Sequence, residues 1–189
     1  MIINKTAIIL SGGKNSRMNY KTKAFLKINE KPFIEIILSQ LGSYKEILIS
    51  CNNISEYSYL ENKVNLIRDK IVDIGPMGGI HSCLAEAKFD ECLFVATDMP
   101  FLNKNLLDYL GRVNFEEDAL IPIVNNKKQP LCGVYKRKII KVIEDRIKDK
   151  DYKLNNLLDN LNVKYLTMDN EKFFFNINTV KEYEDLKRV

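Results

Sequence analysis

At 189 residues the chain is sized for one ordinary domain with a substantial core. Its 46% apolar and 29% charged residues give the balance of a soluble globular protein and exclude a disordered one. A net charge of +4, from 29 basic and 25 acidic residues scattered along the chain, argues against a nucleic-acid partner but would not hinder an anionic small substrate. No apolar stretch approaches the roughly 20 residues needed to span a bilayer. The N-terminus lacks the charged start, apolar segment and cleavage site of a signal peptide. These features point away from a membrane and toward the cytoplasm. The four cysteines, Cys51, Cys83, Cys92 and Cys132, form no CxxC pair, and His81 is the one histidine. That pattern speaks for reduced, buried thiols and against a zinc site.

In chain order, Thr6 to Leu10 is an apolar run short enough to be a strand buried on both faces. It runs into Ser11-Gly12-Gly13, and Lys14, Arg17, Lys21 and Lys23 follow closely. Ala24 to Asn29 reads as extended and Glu30-Lys31-Pro32 as a turn. Phe33 to Leu41 suits a helix packed on a sheet. Glu46 to Ser50 reads as a second strand leading to Asn52. A short helical piece near Tyr57 to Leu60 precedes a third strand, Val64 to Arg68, which ends at Asp69.

A second glycine cluster, Gly75-Pro76-Met77-Gly78-Gly79, reads as a loop before a helix over Ile80 to Ala87. Glu91 to Ala96 is another buried strand and ends in Thr97-Asp98-Met99-Pro100. Asn103 caps a helix through Leu110, stopped by Gly111. Ala119 to Val124 and Pro130 to Tyr135 read as strands around the turn Asn125 to Lys128. Helices follow over Ile139 to Ile147 and Leu154 to Leu161, then a strand over Val163 to Thr167. Thr179 and Glu182 form a capping box for a last helix, Val180 to Arg188.

Strands alternating with helices imply a mostly parallel sheet covered on both faces, with ligands bound beyond the carboxyl ends of the strands. The polar residues just past those ends are Ser11 to Arg17, Asn52, Asp69 and Asp98, which should meet at one edge. Five of the eight glycines, at 12, 13, 75, 78 and 79, fall in two loops, concentrating backbone-level contact there. A bare, cationic loop after a buried strand suits phosphate. It matches neither GxxxxGK[ST] nor GxGxxG, so it belongs to neither of two familiar phosphate-loop types. Asp98 is placed either to hold Mg²⁺ together with phosphate oxygens or to cap the turn before Pro100. Asp69 is a contact to a metal or a purine edge, or a solvated strand end. Asn176 and Asn178 either touch ligand or complete a turn. Cys132 has no partner base, so core packing is its expected role.

Leu10-Ser11-Gly12-Gly13-x-x-Ser16-Arg17-Met18, with Lys23 further on, resembles the LAGGxSxRMGxDK signature of the MobA-type nucleotidyltransferases. The resemblance continues through Arg68-Asp69, Gly75 to Ile80, Thr97 to Phe101, Gln129 to Tyr135 and Asn176 to Thr179, in the family's order and over nearly the whole chain. It departs at Ser11 for alanine, Asn19 for glycine and Thr22 for aspartate.

The resemblance implies one α/β domain over residues 1–189. That domain would be Rossmann-like and three-layered, with a mostly parallel, mixed sheet of the nucleotide-diphospho-sugar transferase type. It implies transfer of GMP from GTP to molybdopterin carrying molybdenum, with Mg²⁺ as cofactor. Other cofactor-assembly proteins and molybdoenzyme clients would be further partners.

Carried over by position, Leu10, Ser11, Gly12, Gly13, Lys23, Asp69 and Asp98 are GTP contacts, and Asp98 holds the metal. Arg17, Lys23 and Asp98 are the catalytic set. Gly78, Asn176 and Asn178 are further ligand contacts, and either Ser50 or Asn52 serves at the end of the second strand. Relatives that use CTP read LAAG, so Gly13 favours guanine. Transfer with CTP or a sugar phosphate is one alternative; a non-catalytic nucleotide-binding protein of cofactor assembly is the other.

Overall fold

The computed structural model describes residues 1–12 and 22–187. The first half holds β1 (Ile3–Leu10), β2 (Lys27–Ile28), β3 (Lys31–Pro32), α1 (Phe33–Gln40), β4 (Tyr44–Cys51), β5 (Asn65–Arg68) and α2 (Pro76–Glu86). It continues with β6 (Glu91–Ala96), α3 (Lys104–Arg112), β7 (Ala119–Val124), β8 (Lys127–Lys128) and β9 (Cys132–Lys136). The chain closes with α4 (Ile140–Lys148), α5 (Leu154–Leu158), β10 (Val163–Thr167) and α6 (Val180–Lys187). No helix among the described residues is long and apolar enough to cross a membrane.

The strands form a mixed sheet in the order β10-β7-β9-β6-β1-β4-β5, with β8 folded back on β7 as a hairpin. Strand β9 runs antiparallel to both of its neighbours, and the remaining pairs along the order are parallel. From β1 the chain first adds β4 and β5 on one side and then crosses to add β6 on the other. Beside β1 the winding therefore reverses, which in such sheets opens a crevice at the carboxyl ends.

Alternation along β1 splits the core into two layers. Ala7 and Ile9 face a cluster built from α1 (Ile34, Ile37) and α3 (Leu106, Leu107, Leu110). Ile8 and Leu10 face the other, built from α2 (Met77, Ile80, Leu84), α4 (Ile143) and α5 (Leu157, Leu158). A sheet buried on both faces explains why β1 reads as an unbroken apolar run. The four cysteines lie free in this interior. Burial alone pushes the Cys132 thiol up to about 12, which suits packing and not nucleophilic chemistry.

Several expected boundaries differ: the helix expected through Leu161 ends at Leu158, and the stretch from Ala24 opens in a 3₁₀ turn over Lys23–Phe25. Gly111 does not stop α3; it lies inside the helix, where an added Cβ would meet the Tyr44 hydroxyl. That hydroxyl donates to the Leu107 carbonyl at 2.6 Å, so Gly111 is there for a close helix–strand approach. The glycine loop before α2 is mostly helix: only Gly75 stands outside, as the N-cap with φ +65°, and Pro76 takes the first turn. Glu30-Lys31-Pro32 contributes to the hairpin β2–β3, with Asn29 and Glu30 at φ +48° and +64°.

The caps at Asn103 and Thr179 are formed. Leu106 N donates to Asn103 Oδ1 at 2.9 Å. Glu182 N donates to Thr179 Oγ1 at 3.2 Å, while Thr179 N donates back to Glu182 Oε2 at 2.8 Å.

Candidate active site

Register brings the carboxyl ends of three central strands level. Leu10 of β1 sits opposite Ser50 of β4 on one side and Ala96 of β6 on the other. The chain then rises out of the sheet at Ser11-Gly12, Thr97-Asp98 and, from β5, Asp69. Beyond these ends lies a cavity lined by Leu10, Ser11, Gly12, Lys23, Ser50, Asp69, Gly75, Gly79, Thr97 and Asp98, among others. Four separate strand ends thus converge on one opening, at the reversal point of the sheet.

At one end of the cavity, Lys23 Nζ lies 3.4 Å from Asp98 Oδ2 and donates to Asn178 Oδ1 at 2.9 Å. Both charged side chains are about one-fifth exposed, so their contact is shielded but open to a ligand. The Asp98 carbonyl accepts from Ile177 N at 2.8 Å, which ties the segment around Asn176 to Asn178 against the β6 turn. The second carboxylate oxygen, Asp98 Oδ1, is buried and has no hydrogen-bond partner among the described residues. A buried, unpartnered carboxylate oxygen is costly unless something binds it. A hard divalent cation is a fitting partner for such an oxygen. Among the described residues no group of three or more His, Cys, Asp or Glu could cage a metal. The protein therefore offers a sparse oxygen donor set, of the kind Mg²⁺ completes with phosphate and water.

At the other end, Asp69 is a buried carboxylate whose Oδ1 accepts from Ser50 Oγ at 2.6 Å. Burial raises its pKa above the usual carboxylate range, and the Ser50 hydrogen bond opposes that rise. Its Oδ2 approaches the Gly12 backbone so closely that an added Cβ would sit 3.0 Å from it, with the Asn52 amide at 3.8 Å. A side chain at position 12 would press on the Asp69 carboxylate, and glycine leaves that carboxylate room at the cavity wall. Gly79 plays a similar part from below. An added Cβ there would strike the Ser50 hydroxyl and crowd the Leu10 side chain, so its absence lets α2 seat directly under the strand ends.

Of the residues singled out from sequence, Leu10, Ser11, Gly12, Lys23, Ser50, Asp69 and Asp98 line this one cavity. Gly13 and Arg17 lie outside the described residues. Ser11 is largely spent on structure: its amide donates to the Ser50 carbonyl at 2.9 Å, and its hydroxyl pairs with Tyr57 Oη at 2.7 Å. Gly78 is buried in the first turn of α2, its amide on the Gly75 carbonyl at 3.3 Å, and is not part of the lining. Asn52 stands beside Gly12 and Asn178 on Lys23, while Asn176 lines a neighbouring cleft.

Sequence reasoning gave no ligand role to Thr97, Leu131 or Tyr57. The one signal for Thr97 was its place beside Asp98 at a strand end.

The chain is similar to known proteins. Residues 7–165 match the model of the MobA-like NTP transferase domain. Over 98% of this chain and 97% of its own length, a probable molybdenum cofactor guanylyltransferase of Clostridium perfringens (strain 13 / Type A) is 42% identical. The molybdenum cofactor guanylyltransferase of Vibrio parahaemolyticus is 32% identical over 93% of this chain and 91% of its own.

In three dimensions, molybdopterin-guanine dinucleotide biosynthesis protein A from Archaeoglobus fulgidus superposes with a TM-score of 0.80, at 25% identity over 97% of each chain. A cytidylyltransferase from Thermus thermophilus shares the fold alone, with a TM-score of 0.68 at 13% identity over 100% of this chain and 98% of its own. Sequence and fold agree, and the chain belongs to the family of MobA-like NTP transferase domains.

Proposed function

We propose that this chain transfers GMP from GTP to molybdopterin carrying molybdenum, forming the guanine dinucleotide of the cofactor and pyrophosphate. The observation that carries the reading is the Lys23–Asp98 pair, with its unpartnered carboxylate oxygen, at the mouth of a cavity whose far end is the buried Asp69. This spacing offers a charged end for phosphates and a polar, enclosed end for a base. The two relatives named as guanylyltransferases supply the identity of the nucleotide and of the acceptor.

In the reaction a phosphate oxygen of the acceptor forms a bond to the α-phosphorus of GTP in line, and the bond from that phosphorus to the β-phosphate oxygen breaks. Pyrophosphate carries away the electron pair. The attacking phosphate monoester is already anionic, so no strong base has to remove a proton, which fits a cavity whose lining holds no histidine. Positioning and charge neutralisation then carry most of the work.

Lys23 stabilises charge on the phosphates, held at its post by Asn178 Oδ1. Asp69 accepts hydrogen bonds from the N–H and amino groups of the guanine edge, a donor pair that cytosine does not present. Gly12 and Gly79 keep the cavity open at backbone level. Asp98 would hold Mg²⁺, which would supply positive charge to offset the negative charge of the phosphates. Arg17, outside the described residues, is proposed to add charge stabilisation on the leaving pyrophosphate.

Nucleotide choice gives a direct test. In the presence of Mg²⁺, GTP at about 100 times its Kd should stabilise the fold by about 2.7 kcal/mol and raise Tm by several degrees. CTP at the same concentration should raise it little. A larger shift with CTP would overturn the guanine assignment.

A further inference from the structure

Tyr57 stands in the short 3₁₀ stretch Ile54–Leu60 between β4 and β5, and no step of the reaction above uses it. Its side chain is buried in the core, at 2% exposure, yet it touches two separate parts of the nucleotide site. Its hydroxyl pairs with Ser11 Oγ at 2.7 Å, and its ring centroid lies 5.0 Å from that of Phe25. A buried phenol needs a hydrogen-bond partner, and leaving it without one costs free energy. Burial pushes the Tyr57 hydroxyl well above its usual range, so it stays neutral and able to donate.

The two contacts reach different walls of the cavity. Ser11 leads from β1 into Gly12, whose backbone lies against the Asp69 carboxylate. Phe25 closes the 3₁₀ turn Lys23–Phe25, which begins at the lysine that meets Asp98. Ser11, Gly12 and Lys23 all line the cavity. Asn178 holds the ammonium of that lysine at 2.9 Å, but this bond does not set where its backbone starts. The turn does so: the amides of Phe25 and Leu26 donate to the carbonyls of Thr22 and Lys23, each at 3.0 Å, and the turn packs on Tyr57. The bond to Ser11 is also particular to this chain, because alanine, the signature's residue at position 11, has no hydroxyl to make it.

We propose that Tyr57 is a positioning residue, which ties the Ser11–Gly12 wall of the cavity to the Lys23 turn and so holds the lysine where the nucleotide's phosphates need it. In this role Tyr57 touches no substrate and acts through Lys23. The inference rests on Lys23 serving the phosphates, as in the guanylyl-transfer reading, and adds the residue that sets the lysine's place. Small displacements of a charged group weaken what it contributes. Stability and positioning can be told apart, because replacing both hydroxyls by apolar groups of similar shape costs the fold little while the tie is gone.

The test measures Kd for GTP and for guanosine on the full chain in Mg²⁺, by competition with a fluorescent guanine nucleotide. The variants are Tyr57→Phe, Ser11→Ala, the two combined, and each of these three together with Lys23→Ala. The Kd for guanosine divided by that for GTP isolates the phosphates' share of binding. Tyr57→Phe and Ser11→Ala should each lower this ratio about tenfold, the low end for one hydrogen bond to a charged group, with guanosine bound as in wild type. Each single variant should also lower Tm, and the combined variant should recover Tm while its ratio stays low. In the Lys23→Ala background the same substitutions should change the ratio no further. A ratio that recovers along with Tm, single variants with the wild-type ratio, or an equal loss in the absence of Lys23 would each overturn the proposal and reduce Tyr57 to packing. A wild type that binds GTP no more tightly than guanosine overturns it too. The expected ratios in a protein that transfers no GMP would instead sink the guanylyl-transfer reading and leave Tyr57 in its role.

Discussion

Replacing Asp98 by alanine is expected to lower GMP transfer by about 10³-fold or more, at the upper end of what one electrostatic group contributes. The reasons are local. Asp98 Oδ1 is a buried oxygen without a partner among the described residues, and Oδ2 is the contact of Lys23. Removing the carboxylate takes away both the anchor for a divalent cation and the partner that positions the lysine. The fold should survive, because the Asp98 carbonyl, and not its side chain, accepts the amide of Ile177. Lys23 also keeps its 2.9 Å bond to Asn178. The measurement is the initial rate across a Mg²⁺ titration, with Tm as a control. Asp98→Asn should lose nearly as much, since it keeps the shape and discards the charge. Near-normal Mg²⁺-dependent turnover in either variant would remove Asp98 from the metal role.

The second large effect is expected at Lys23. Lys23→Ala should cost about 10²–10³ in kcat/KM, or about 2.7–4 kcal/mol of transition-state stabilisation. A second signature separates this from a general loss of the site. Lys23 competes with any cation for the Asp98 carboxylate, from which it stands 3.4 Å away. Its removal should therefore leave the Mg²⁺ concentration for half-maximal rate unchanged or lower it, while kcat falls. A variant that needs much more Mg²⁺ but keeps its kcat would show that Lys23 only shapes the site. An unchanged kcat/KM would rule the lysine out altogether.

Much of this site was legible from the residues just past each apolar strand, because a parallel sheet puts its carboxyl ends on one edge. Leu10, Ser50 and Ala96 fall in register and Cys51 pairs with Arg68, which gathers Ser11, Gly12, Asp69 and Asp98. The helical course of Met77-Gly78-Gly79 was hidden, since two adjacent glycines disfavour a helix by propensity. Packing overrides that preference: Gly78 must clear the Ile71 carbonyl, and Gly79 the Ser50 hydroxyl. Gly111 misled for a similar reason, its bareness serving Tyr44 and not a helix end.

The link from Lys23 to Asn178 spans 155 residues and has no local signal. The turn expected over Asn125 to Lys128 is tighter in the structure: only Asn125 and Asn126 turn, at φ +49° and +60°, which asparagine tolerates better than most residues, and Lys127–Lys128 already pairs back on β7 as β8.

The central claim is tested most directly by incubating the chain with Mg²⁺, GTP and molybdenum-loaded molybdopterin, and measuring dinucleotide cofactor and pyrophosphate together. The account predicts the two products in equal amounts, dependent on the acceptor and greatly reduced when CTP replaces GTP. Pyrophosphate released without the acceptor, transfer that prefers CTP, or GTP bound without any transfer would contradict it.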